Sequence, residues 1–401
     1  MKKLFIIALC AAAIGSASAQ KANVDGAKKL AGKVDKIGDA RNMLKEAKAN
    51  PETQTQPNTY IIAADVEYKA YDALKKNLGL ADVNSEPAKV AEMDAYLLTA
   101  YPEILAAIQN ASNDPKGKAE GEIQKRLEKY VQDYFQAGAD FFNTKQFDKA
   151  YDAFMIYGDI PALPVMAGKV NIPDSVRATA YYNAGLSGWS VPDLPKAAKA
   201  FKAARLAGYD KPDSYIYELA CWQNMMQKDS TLIAEGQQDI FDTSKAGYEK
   251  FGLGQPVFLN NMVNVLVEQN KIDEALTLLN QLISQTPAPA LYGLRGFVND
   301  RKGNDKESEE DYRMAASMDG VDFETLVNAG KKIFRLGQEL WNKIEGTSPE
   351  ANAQRENVRT NYFEAARSIA DKAQSIAPEN TAGSGLDYLI ENINYMLQSP
   401  R

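Results

Sequence analysis

From Gln20 to Arg401 apolar residues recur three and four positions apart, alanine is frequent, and runs of alternating β-branched residues are missing. That period puts the apolar side chains on one helical face, so the pattern predicts an all-α chain. Breaks rich in proline, glycine, asparagine and aspartate fall at Asn50-Pro51 to Pro57, Asn110 to Gly117, Asp159 to Asp174, Gly208 to Asp213, Gly252 to Pro256, Thr286 to Pro289, Gly346 to Pro349 and Pro378 to Gly385. The pieces between them are helix-sized, and they pair. Gly138 is followed after twelve residues by Ala150 and then by Phe154; Gly185 is followed after twelve by Ala197 and then by Phe201 and Ala204. Small residues at this spacing let two helices approach closely, with an aromatic ring four residues on packing into the next layer. Further along, Ala275 and Ser308, Leu279 and Tyr312, and Leu282 and Ala315 are each 33 residues apart. A fixed period of this size predicts a solenoid of helical hairpins.

The tetratricopeptide repeat (TPR) has the same features: a Gly/Ala pair, a small residue opening the second helix, an aromatic four residues on, and a closing proline. The block from Gly138 to Tyr151 resembles such a hairpin, and Gln269-Asn270-Lys271-Ile272-Asp273-Glu274-Ala275-Leu276 is similar to the same turn. The resemblance extends over about residues 130–380. It implies an all-α, TPR-like solenoid, wound as a right-handed superhelix, with an irregular helical region over 20–129. Insertions are expected near 159–174, 230–243 and 341–361, and residues 381–401 read as a capping helix through Leu386, Leu389, Ile390, Ile393 and Met396. In the third copy Cys221 stands where the glycine belongs.

The first residues read as an export signal. Met1-Lys2-Lys3 precedes an apolar run from Leu4 to Ile14 and a small-residue site at Ala17-Ser18-Ala19, so residues 1–19 are expected to be removed. The run is too short to span a bilayer with comfort. A rival reading makes Cys10 a lipid-bearing cysteine, but Leu9 stands before it where a small residue is required. Cleavage leaves Cys221 as the one cysteine, so a disulfide within the chain is excluded and stability must come from packing. The compartment implied is the periplasm or the extracellular space, and the layout resembles exported TPR proteins of Gram-negative anaerobes. No later apolar run is long enough for a membrane helix.

Composition then removes function classes. The full chain carries 46 Lys and Arg against 53 Asp and Glu, a net charge of −7; without the leader, 44 basic residues leave −9. Nucleic-acid binding needs the opposite balance. With no histidine in the chain, Ser-His-Asp and Cys-His nucleophile pairs, HExxH zinc sites and imidazole bases are all excluded. No glycine-rich segment ends in Gly-Lys-Ser or Gly-Lys-Thr, and Gly252-Leu253-Gly254 and Gly383-Ser384-Gly385 read as helix-ending turns. The acidic run Glu307, Glu309, Glu310, Asp311 lacks the ligand alternation of a calcium loop and reads as a solvated helix start. A carboxylate pair could hydrolyse a glycoside without histidine, so a carboxylate-dependent hydrolase stays open as a remote alternative. No cofactor, metal or catalytic residue is expected, and Cys221 beside Trp222 reads as a packed small hydrophobe.

What remains is a surface. In TPR hairpins the first helix lines the groove, and the resemblance implies that Phe135, Phe142, Tyr182, Trp189, Tyr215, Trp222, Asn260 and Asn264 face it, with Leu186, Glu218, Met225, Glu268, Phe297 and Asp300 in support. These rings could equally pack against the 159–174 stretch or a neighbouring repeat. Repeats that clamp acidic chaperone tails place Lys and Asn where this chain has Phe135 and Ala139, then Tyr182 and Leu186, so the resemblance does not extend to that ligand. The expected function is non-enzymatic capture of a protein or peptide partner. Binding of a glycan or other nutrient on the same scaffold is the alternative, since Tyr and Trp suit sugar rings too.

Overall fold

The computed structural model describes residues 21–78, 85–381 and 383–398; the leader and Cys10 lie outside them. The fold is all-α and TPR-like, built from helical hairpins. It divides into two compact units, the first ending at Gly236 and the second beginning at Gln237.

In the first unit, α1 (21–30) and α2 (Ile37–Ala49) pack on α3 (Pro57–Asn77) through Val24, Ala27, Leu44, Ala47, Ile62 and Val66. Helix α3 pairs with α4 (Pro87–Gln109), and both begin with proline, whose fixed φ and missing N–H suit the first helical position. Two hairpins and a further helix follow: α5 (Ala119–Asn143) with α6 (Phe147–Asp159), α7 (Asp174–Ser190) with α8 (Leu194–Leu206), and then α9 (Asp213–Lys228). The 159–174 stretch forms two short 3-10 turns, Ile160–Ala162 and Pro164–Met166. Glycine is required inside the hairpins because a Cβ on Gly138 would lie 2.7 Å from the Phe154 ring, and one on Gly185 would lie 2.5 Å from Phe201. The aromatic twelve-plus-four residues along is thus the very group that the glycine admits.

The stretch near 230–243, where an insertion is expected, is helical. It opens α10 (Ile233–Phe251), a 19-residue helix that ends where Gly252 takes φ +58°. Gly236 in its first turn lies against Met226 and Trp222.

The second unit holds α11 (Pro256–Glu268), α12 (Ile272–Gln285), α13 (Pro289–Lys302), α14 (Asp305–Ser317) and α15 (Phe323–Asn342), then the short α16 (Pro349–Val358) in the 341–361 stretch. A π-helical turn, Arg359–Glu364, leads into α17 (Ala365–Ile376), and α18 (Leu386–Gln398) buries Leu386, Leu389 and Ile393 against the last core cluster. One turn recurs in both units. Lys145, Asn270 and Gly303 have φ of 59°, 58° and 83°, and the next N–H in each case donates to the carbonyl five residues back: Gln146 to Phe141, Lys271 to Leu266, Asn304 to Asn299. This left-handed closure satisfies carbonyls that the ending helix leaves open. Asn270 and Gly303 are 33 residues apart, the period read from the side chains.

Candidate functional site

Helix α7 sets the site in the first unit. Tyr182 and Trp189 are seven residues apart and therefore share a face two turns long. Onto that face fold Phe201 from α8, Tyr209 from the α8–α9 turn, and Tyr217 and Trp222 from α9. Tyr182 stacks on Tyr209 with ring centres 4.5 Å apart and an interplanar angle of 15°. Tyr217 stacks on Phe201 at 5.2 Å and meets Trp189 edge to face at 5.6 Å. Phe201 is fully buried, while Tyr182, Trp189, Tyr209, Tyr217 and Trp222 are half-buried. The ensemble is an aromatic surface held together by ring-on-ring contacts. Burial, with the neighbouring Tyr209, pushes the Tyr182 hydroxyl up to about 12, so it is held as a neutral donor at physiological pH. Packing against other rings rather than flexible chains limits the entropy lost when a ligand settles on such a surface.

Sequence-predicted residues divide between this surface and other places. Tyr182, Trp189 and Trp222 come together. Tyr215 is 4% exposed and lies under the Arg205 guanidinium, 5.9 Å from its ring centre. Glu218 on the same side is fully buried in a two-pronged ion pair with Arg205, at 2.9 and 3.0 Å. Tyr215 and Tyr217, two residues apart, point to nearly opposite sides of α9, and it is Tyr217 that joins the cluster. Phe135 packs edge-on against Phe154 and Tyr157, and Phe142 against Phe147, inside the first hairpin. Asn260 is half-buried and Asn264 exposed on α11, in the second unit. Tyr209 and Tyr217 were missed; Tyr217 stands four residues before the buried Cys221, a helical spacing that places both toward one neighbour. Burial pushes the Cys221 thiol up to about 12, which disfavours the reactive thiolate.

The second unit holds a cleft of about 780 Å³ lined by Asp300, Arg301, Tyr312, Asn328, Lys332 and Arg335 among others. Lys332 is nearly fully buried and donates to Asp300 at 2.7 Å and Asp305 at 2.5 Å; Arg335 also donates to Asp300. Burial opposes ionisation of Asp300, but these two hydrogen-bonded cations hold it below the usual carboxylate range. The acidic run of α14 is not uniformly solvated either: Asp311 is buried against Arg295 at 2.6 Å and Asn299 at 3.0 Å. Among the described residues no group of three or more Cys, Asp or Glu is placed to hold a metal, and no helix is long and apolar enough to cross a membrane.

No family model matches the chain, and no curated protein matches it. Among solved structures, similarity is found to a TPR repeats protein from Bacteroides fragilis, 15% identical over 66% of this chain and 98% of that one, with a TM-score of 0.36. It is also found to the TPR domain of P58(IPK), 12% identical over 94% and 98% with a TM-score of 0.28, and to yeast Tom70, 14% identical over 94% and 95% with a TM-score of 0.24.

Proposed function

We propose that this chain is an exported, non-enzymatic scaffold that captures a protein or peptide partner on the aromatic surface of α7, α8 and α9. The observation that carries this reading is the set of five half-buried rings held on a fully buried Phe201. Aromatic anchors of this kind dominate binding energy at protein surfaces, whereas a hydrolytic site needs paired acids open to substrate. The facing acids of the first unit, Asp94 and Asp140, do not serve that purpose, since Asp94 is 1% exposed. A periplasmic or extracellular location rests on the leader sequence.

The test begins with a photo-crosslinking residue at Trp189 in intact cells and mass spectrometry of the adduct, with the same residue at Asn264 as the comparison. A recurrent protein adduct from position 189 supports the proposal. Replacing Trp189 and Trp222 by Ala should then weaken binding of that partner well over tenfold, at about 2 kcal/mol or more per anchor, with helical circular dichroism unchanged. A glycan adduct at 189 gives the site to the nutrient-binding reading. Adducts from 264 alone, or a folded double variant with unchanged affinity, refute the aromatic surface.

A further inference from the structure

Charged side chains along α5 form a ladder against α3. Arg126 meets Asp65 at 2.7 Å, Lys129 meets Asp72 at 2.7 Å, and Asp133 meets Lys75 at 2.5 Å. Each of these rungs joins opposite charges. Two turns beyond Asp133 the pattern reverses, and Asp140 faces Asp94 of α4, acid against acid. Asp94 is 1% exposed, and its Oδ2 has no hydrogen-bond partner. From α3 it faces Lys75, which is already engaged by Asp133, on a turn that also carries Tyr71; from α5 it faces Asp133 and Asp140. Gln136 donates to Asp140 at 3.0 Å, and Asp159 of α6 acts on Tyr101, two turns further along α4. Among the described residues no cation forms an ion pair with Asp94.

We propose that Asp94 and Asp140 are a proton-binding site that latches α4 to α5: the protonated Asp94 carboxyl donates to the Asp140 carboxylate, and release of that proton to solvent leaves two facing anions, Asp94 fully buried and Asp140 half-buried, that push this end of the helix pair apart. Burial, Asp140 and Asp133 together push the Asp94 carboxyl up to about 8, which places the latch near physiological pH. An opened or unfolded chain ionises Asp94 near about 3.9. Between these two limits the closed state holds a proton that the open state releases. Opening therefore becomes easier as pH rises, by up to about tenfold per pH unit, and levels off above the closed-state value.

Amide hydrogen exchange of α4 and α5 in the full chain, corrected for the intrinsic pH dependence of exchange, tests this from about pH 5.5 to pH 9. Protection of the wild type should fall as pH rises to about 8 and then flatten. Asp94→Asn keeps the donor to Asp140 but cannot titrate, so its protection should be independent of pH over that range. Asp140→Asn removes the second acid, and the fall should move to lower pH. If the wild type is flat, or if Asp94→Asn keeps the wild-type slope, the latch is refuted. Should Asp94→Asn fail to fold, the Asp140→Asn shift decides, and an unchanged curve there overturns the proposal.

Discussion

The hairpin glycines give the most direct check on how this chain closes, and Gly185→Ala is the sharpest case. A Cβ at this position would lie 2.5 Å from two carbons of the Phe201 ring and 2.8 Å from a third. The ring has nowhere to go, because it is fully buried, stacked on Tyr217 at 5.2 Å and packed against Tyr182 at 5.8 Å. Alanine gains about 1 kcal/mol over glycine in a helix interior, while overpacking a closed site costs about 1–3 kcal/mol and more when the neighbours are rigid. Because every contact is below 3 Å, the upper part of that range applies, and the net is a destabilisation of about 1–2 kcal/mol. Gly296→Ala in the second unit is the internal control. Its Cβ would lie 3.1 Å from Tyr312, a contact that a shift of a few tenths of an ångström relieves. There the propensity gain about offsets the contact, and the change should stay within about 0.5 kcal/mol. Urea unfolding followed by tryptophan fluorescence can separate the units, because Trp341→Phe leaves Trp189 and Trp222, both in the first unit, as reporters. For Gly296→Ala the complementary pair, Trp189→Phe with Trp222→Phe, leaves Trp341. Adding Phe201→Leu to Gly185→Ala should recover stability relative to Phe201→Leu alone, a coupling of at least about 0.5 kcal/mol. If Gly185→Ala unfolds at the parent's urea midpoint, or costs no more than Gly296→Ala, the glycine spacing is not a packing requirement.

The remaining expectations concern burial and export. Glu218→Ala leaves Arg205 buried without its carboxylate and should cost about 3–5 kcal/mol, whereas replacing Arg205 and Glu218 together by Met and Leu should cost far less; thermal unfolding of the three chains checks this. N-terminal sequencing of the chain secreted by its own cells should begin at Gln20, and a lipid on Cys10 or a chain beginning at Met1 would refute the cleavage.

Helices, their breaks and their pairing were legible in the residues because they depend on short-range rules. Pro57, Pro87, Pro256, Pro289 and Pro349 each stand at a helix start, and the glycine-to-aromatic spacing of sixteen residues at Gly138–Phe154 and Gly185–Phe201 is set by one turn of fixed length. Local rules stop at the helix axis. They did not decide that Tyr217 rather than Tyr215 joins Trp189, since that depends on the rotation α9 adopts when Glu218 locks onto Arg205. Nor did they decide that the 230–243 stretch continues as helix, because its polar residues carry the same local propensity in either state. The remaining features join residues far apart in sequence. Asp94 meets Asp140 across two helices, and Lys332 reaches Asp300 and Asp305, 32 and 27 residues away. The residues alone determined where most helices begin and which turns close them; the tertiary structure decided which charges lose water together, because desolvation depends on neighbours that no local window contains.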